Sequence, residues 1–84
     1  MTTEILKENN FYRTADLALA TAISLFCPIE AIDRQNPRKA HFLFKRKEGL
    51  DELIESYWRG ELKVEPRRYF ETLRIIKARL YGEE

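Results

Sequence analysis

The most reactive side chains of this sequence are those of one cysteine, Cys27, and one histidine, His41. A thiol beside an imidazole can act as a nucleophile with its base. Cys27, however, stands between Phe26 and Pro28 at the expected end of a helix, where cysteine usually packs as a small apolar side chain. His41 fits a solvated position on a strand. Zinc needs several such ligands, so we expect no metal centre and no cofactor.

The carboxylates and glycines also argue against catalysis. Asp51, Glu52 and Glu55 follow the solvated side of a predicted helix, whereas acid–base catalysis needs carboxylates in a cleft with unequal environments. A glycine-rich phosphate loop is not indicated because the three glycines are isolated, at positions 49, 60 and 82. We therefore expect a protein that is not an enzyme, and no small-molecule substrate is evident.

Basic side chains concentrated around a predicted hairpin give the strongest functional indication. Lysine and arginine attract phosphates in a salt-dependent way, and aromatic rings among them can stack on bases. His41 is a candidate base contact, whereas Phe42 and Phe44 cannot stack if they face the core. An ordinary solvated hairpin with charged flanks is the competing interpretation. The candidate phosphate contacts of the hairpin are Arg34, Arg38, Lys39, Lys45, Arg46 and Lys47.

The last predicted helix carries a second group of basic side chains. Arg67, Arg74 and Lys77 fall on one flank, and two further arginines, at positions 68 and 79, fall on another. These side chains could follow a phosphate backbone, in which case Arg67 and Arg74 join the nucleic-acid contacts. They could also pair with the acidic helix of a second copy, or with Glu71 within their own helix. The favoured partner is single-stranded DNA or RNA.

An aromatic segment before the last helix supports the alternative, a protein-interaction module such as a homodimer or a phage-encoded modulator of a host protein. Tryptophan, tyrosine and arginine are common anchors of protein interfaces. A lone tryptophan at the edge of an apolar stripe more often closes a small core, which is what we expect of Trp58. The candidate interaction residues are Tyr57, Trp58, Leu62 and Val64.

The elements that must position these residues follow from the apolar spacing. The 84 residues suffice for one core, and a charge of +1 means that any polyanion site depends on local segregation of charge. A short strand at 11–13 precedes a helix at 15–26 with Thr14 as its N-cap. Strands at 29–34 and 39–46 flank a turn, and alternation places Phe42 and Phe44 on the core face.

Two amphipathic helices complete the predicted fold. The first begins at Leu50 and ends at Gly60, a left-handed C-cap, and the second begins with Pro66 in its first turn and ends at Gly82. The expected fold is α+β: a small antiparallel sheet, made of the N-terminal strand and the hairpin, packed against three helices in the order β-α-β-β-α-α. Residues 1–9 are predicted to be a flexible arm, and residues 10–82 a single compact domain.

The predicted compartment is the cytoplasm. One cysteine allows no internal disulfide, which favours a reducing environment. The N-terminal residues lack the apolar run of a signal peptide, and the longest nearly apolar stretch, 17–32, is too short and too polar to span a membrane. We expect no membrane contact.

Several segments also resemble a known family. They are residues 11–20, the hairpin end Phe42–Leu43–Phe44, residues 57–60, Tyr69–Phe70 with Leu73, and residues 77–81. Together they resemble a family of short bacterial and phage proteins catalogued as a domain of unknown function, over residues 11–82. The resemblance implies a freestanding prokaryotic or viral domain, and it brings no activity or catalytic residue.

Overall fold

The fold is a three-stranded sheet with three helices, and the predicted α+β class and element order are confirmed. A computed structural model describes residues 10–36 and 38–81. The predicted arm at 1–9 and the helix end at Gly82 lie outside these residues. The elements are β1 (Phe11–Thr14), α1 (Leu17–Ser24), β2 (Ile29–Asp33), β3 (His41–Lys45), α2 (Leu50–Trp58) and α3 (Pro66–Leu80).

The middle strand of the antiparallel sheet is β3, with β1 on one side and β2 on the other. Successive side chains of a strand point to opposite faces, so Phe42 and Phe44 share one face and His41, Leu43 and Lys45 the other. Both phenylalanines are fully buried, as the alternation predicts. The sheet thus has one face in the core and one facing away from the helices.

A bulge in β2 keeps its isoleucines on the core face. Ile29 pairs with Phe44 and Ile32 pairs with Phe42, so four residues of β2, 29–32, oppose three of β3, 42–44. Without an extra residue, a three-residue spacing would turn the isoleucines to opposite faces. The extra residue lies at Glu30, which is exposed.

Helix α1 lies at the centre of the molecule. Five consecutive residues, 19–23, are buried, which fits a helix that is apolar nearly all round. The hydroxyl of Thr21 donates to the carbonyl of Leu17 at 2.8 Å, so this buried polar group is satisfied. Leu50 of α2 and Ile76 of α3 join α1 and the two phenylalanines in one core cluster.

The predicted N-cap of α1 is wrong by two residues. Asp16 caps the helix, accepting a hydrogen bond from the backbone N–H of Leu19 at 3.2 Å. Thr14 is the last residue of β1, paired with Phe42, and its hydroxyl accepts from the N–H of Asp16 at 3.1 Å. Both residue types cap helices well, and strand pairing decides between them.

The ends of α2 and α3 follow the predicted signals. Gly60, just after α2, has φ of 73°, the left-handed conformation expected of a C-cap glycine. Pro66 occupies the first turn of α3, and the Glu65 carboxylate accepts from the N–H of Arg68 at 2.8 Å. Within the described ranges, no helix combines the length and apolar character needed to cross a membrane.

Candidate nucleic-acid interface

The basic side chains of the hairpin form two groups, one at each end of β3. Arg34, Arg38 and Lys39 flank the turn, whereas Lys45 ends the strand and its neighbours follow it. The strand between them spans four residue steps, from His41 to Lys45, or about 13 Å of backbone. The hairpin therefore does not gather its predicted phosphate contacts into one cluster.

Arg34 connects the turn to the end of α3. Its guanidinium donates a hydrogen bond to the backbone carbonyl of Arg79, in the last turn of that helix. The last carbonyls of a helix have no partner within it and carry a partial negative charge, so a cation is favourable there. This contact, between residues 45 positions apart, brings the two predicted basic regions together at one side of the molecule.

A cleft separates the turn from α3 beside this contact. Its volume is about 370 Å³. The turn is fixed by Asn36, whose side-chain oxygen accepts from the N–H of Arg38 at 2.9 Å and whose carbonyl accepts from the N–H of Lys39 at 3.1 Å. The cleft is lined by Arg34, Asn36, Arg38, Ala40, Leu80 and Tyr81.

One flank of α3 continues this basic surface. The helical repeat places five side chains in a single row, spaced alternately by three and four residues. Two of them are aromatic and strongly exposed, Phe70 at 62% and Tyr81 at 70%. We name the row the α3 stripe; it consists of Arg67, Phe70, Arg74, Lys77 and Tyr81.

The cations of the α3 stripe and of the turn are available to a ligand. Across residues 10–36 and 38–81, the ion pairs involve none of Arg38, Lys39, Arg67, Arg74 and Lys77. The pairs suggested within α3, of Glu71 with Arg67 and with Arg74, do not form there. Phe70 and Tyr81 were missing from the predicted site, although their spacing from the three cations was a signal already present in the sequence.

The opposite end of β3 uses its arginine for structure. The guanidinium of Arg46 lies 5.6 Å from the centre of the Tyr12 ring and 3.2 Å from the Asp51 carboxylate. Its backbone N–H donates to the carbonyl of Asn10 at 2.7 Å. Burial raises the pKa of Tyr12, and the nearby positive charge of Arg46 opposes part of that rise. Lys45 and Lys47 are exposed beside it.

On the outward face of the sheet, His41 is the candidate base contact, and the phenylalanines of β3 are not beside it. His41 and Leu43 are half-buried there, and an ion pair of 2.9 Å between Arg13 and Asp33 joins the two outer strands. The N–H of Gln35 and then the guanidinium of Arg13 donate to Asp33 and lower the pKa of its carboxyl. Stacking between the hairpin's basic clusters is thus limited to His41, because its phenylalanines are in the core.

The thiol and the imidazole lie on different sides of the sheet. Cys27 is buried in the core cluster with Phe42 and Phe44, whereas His41 is on the outward face of β3. They cannot form a nucleophile–base pair in this fold. In the part of the chain that the structure describes, no group of three or more histidine, cysteine or acidic side chains is placed to hold a metal.

Three of the four predicted interaction residues line a groove of about 260 Å³ between α2 and α3. Burial raises the pKa of both tyrosines at this groove, Tyr57 and Tyr69, and the Tyr69 hydroxyl donates to the carbonyl of Ala18 at 3.2 Å. The expectation that Trp58 closes the core is wrong. It is 61% exposed, since it lies at the edge of the α2 stripe in the last turn. The groove is lined by Ala22, Tyr57, Gly60, Leu62, Val64 and Tyr69.

Comparison with known families supports the resemblance seen in the sequence. The model of the family described as "Domain of unknown function (DUF5659)" matches residues 9–82. The chain belongs to this family. No curated protein and no solved structure matches the chain. Membership in the family therefore covers the whole described fold but brings no ligand or activity with it.

Proposed function

We propose that this protein is a non-catalytic nucleic-acid-binding domain whose phosphate contacts come from the turn and α3. The observation that carries the proposal is the contact of Arg34 with the end of α3. Because of it, the turn and the end of α3 border one cleft, and Tyr81 in that cleft is also the last residue of the α3 stripe. The cations of the turn and those of the stripe therefore adjoin one another through Tyr81. Basic side chains along such a surface suit a polyanion of extended shape.

The size and charge of the surface support a phosphate backbone as the ligand. The α3 stripe runs about 20 Å from Arg67 to Tyr81 at the rise of an α-helix. It contains three cations and no carboxylate, although the whole chain has a formal charge of only +1. The positive charge is thus segregated locally, which a nearly neutral protein needs in order to attract phosphates.

The test is a titration of labelled oligonucleotides with the protein, followed by fluorescence anisotropy at low and at near-physiological salt. We expect affinity that falls steeply with salt, because bound phosphates release counterions. The double variant R38E/K39E should bind more weakly and keep the wild-type unfolding temperature, since both side chains are exposed and outside the ion pairs of the described residues.

A matched control is available at and just before the start of α3. The variants R67E/R74E and K63E/R68E change the net charge equally, but only the first changes the α3 stripe. The proposal requires the first to lose affinity by a much larger factor. Equal losses would mean that only net charge matters, and no binding at low salt would end the nucleic-acid proposal.

A second candidate function, self-association, is favoured by the exposed Trp58 beside the groove of α2 and α3. The acidic side of α2, with Asp51, Glu52 and Glu55, is complementary in charge to the α3 stripe of another copy. Sedimentation equilibrium tests this candidate. A dimer weakened by salt and by W58A would support it, and a monomer at high concentration would refute it.

We also propose a cytoplasmic location and a prokaryotic or phage origin. A single cysteine that is buried in the core supports a reducing compartment. Fractionation of cells that produce the native chain tests the location directly.

A further inference from the structure

We infer that the surface of the turn and α3 binds an unpaired nucleic-acid strand, with Phe70 and Tyr81 as two stacking positions and the Arg34–Arg38 cleft as a phosphate position. This inference rests on the proposed function and adds the strand state and the base contacts. Neither aromatic residue was among the contacts predicted from the sequence.

The first argument is the exposure of the two rings. Phe70, within α3, and Tyr81, directly after it, present most of their surface to solvent, whereas Ile76 and Leu80 of the same helix pack in the core. Phe70 makes an edge contact with the ring of Tyr69, at 6.2 Å between ring centres. An exposed ring offers a base a stacking face, which a paired base inside a duplex does not reach.

The second argument is the alternation of rings and cations along the α3 stripe. Arg74 and Lys77 lie between the two rings, and together with Phe70 they line a shallow groove of about 340 Å³. The two rings are separated by about 16 Å along the helix axis. A strand that follows the stripe would therefore place phosphates at the cations between two stacked bases, as single-strand-binding surfaces do.

The third argument is the cleft at the end of the stripe. Tyr81 forms one wall of this cleft, and Arg34 and Arg38 form the other. Arg34 is held by its hydrogen bond to α3, so its guanidinium is fixed before a ligand arrives. A base stacked on Tyr81 would have its phosphate beside two arginines, one of them already positioned.

The experiment compares the wild type with F70L/Y81L, which keeps apolar side chains and removes both rings. The probes are single-stranded DNA, single-stranded RNA and duplex DNA of one sequence, and inorganic polyphosphate, which has charge but no bases. We expect tighter binding of an unpaired DNA or RNA strand than of duplex. We expect F70L/Y81L to lose about 10-fold or more on the unpaired strand and little on polyphosphate.

Two controls separate stacking from other effects. I75A removes another strongly exposed apolar side chain of α3 outside the stripe and should bind like the wild type. Y81F keeps the ring without its hydroxyl and should retain the affinity that Y81L loses. Circular dichroism of each variant confirms that the fold is unchanged.

The outcomes distinguish this inference from the proposed function. Wild-type affinity of F70L/Y81L for unpaired strands, with binding still lost in R67E/R74E, would overturn the stacking inference and leave the nucleic-acid proposal standing. Failure of the wild type to bind any of the four probes at low salt would overturn both.

Discussion

The two ends of β3 are equally basic in sequence and differ in what their cations contact. Beyond one end, Arg46 lies over Tyr12 and pairs with Asp51, so its charge is already used inside the fold. At the other end, Arg38 and Lys39 stay outside the ion pairs of the described residues, and Arg38 lines a cleft shared with the end of α3. Each end thus keeps one arginine in a structural contact and two cations outside the ion pairs of the described residues, and the turn end additionally borders a cleft shared with α3. Clusters of equal charge can therefore differ in function through the surface beside them.

The largest expected effect is the difference in affinity between a variant of the α3 stripe and a variant of the Lys45 end of β3. The triple variant R67E/R74E/K77E should lose about 30-fold or more in affinity at low salt, since an exposed charge contact contributes up to about 1 kcal/mol. The matched triple variant K45E/R46E/K47E changes the net charge equally and should lose far less. Anisotropy titrations of both, on one oligonucleotide, measure the ratio. Comparable losses would remove the distinction between the α3 stripe and the Lys45 end of β3.

Arg34 should affect both stability and binding. R34A removes the hydrogen bond to the Arg79 carbonyl and should lower the free energy of unfolding by about 1 kcal/mol. The loosened cleft should also weaken oligonucleotide binding. R34K keeps the positive charge but lacks the planar guanidinium with its several N–H donors, so it should recover part of the stability that R34A loses. Urea unfolding and anisotropy on the same samples check this, and a binding loss fully recovered by R34K would assign Arg34 a purely electrostatic role.

Arg46 should affect stability alone. R46M keeps the aliphatic length over the Tyr12 ring and removes the charge, so the cation–π contact and the exposed pair with Asp51 are lost. The expected decrease in unfolding free energy is about 0.5–1 kcal/mol, with little change in oligonucleotide affinity. D51N, which removes only the ion-pair partner, should decrease stability less. A strong loss of binding in R46M would place this end within the interface.

The smallest effect concerns Asp33 on the outward face of the sheet. Its pKa in the folded protein is lower than the ordinary value near 3.8, because Gln35 and Arg13 donate to its carboxylate. The ionised Asp33 carboxylate therefore stabilises the fold when the pH is above the ordinary pKa. This contribution is lost as the pH falls through the lower pKa of the folded protein. D33N should have a slightly lower melting temperature than the wild type at neutral pH. The two should converge below about pH 4, and a constant difference would contradict the assignment.

Local signals in the sequence were sufficient for most of the fold. Alternation identified Phe42 and Phe44 as core residues, and Pro66 and Gly60 marked helix ends that the structure confirms. These features depend on neighbouring residues and on the periods of the strand and the helix, so they can be read from a short window.

The remaining features depend on tertiary contacts. The hydrogen bond between Arg34 and Arg79 joins residues far apart in the chain, and no local pattern predicts it. Strand pairing decided the helix cap in favour of Asp16. The exposure of Trp58 follows from how α2 packs. The basic residues were identified by type, but which of them lie together became visible only in the fold.

The bulge at Glu30 has a consequence for how copies of this chain avoid one another. A three-stranded sheet leaves an unpaired row of backbone donors and acceptors along each outer strand, which invites strands of other molecules. In β2 the bulge interrupts that row and places a solvated carboxylate on it. Edge-to-edge joining of sheets is therefore discouraged on this side, which leaves the β1 edge and the helices as the surfaces through which copies could pair.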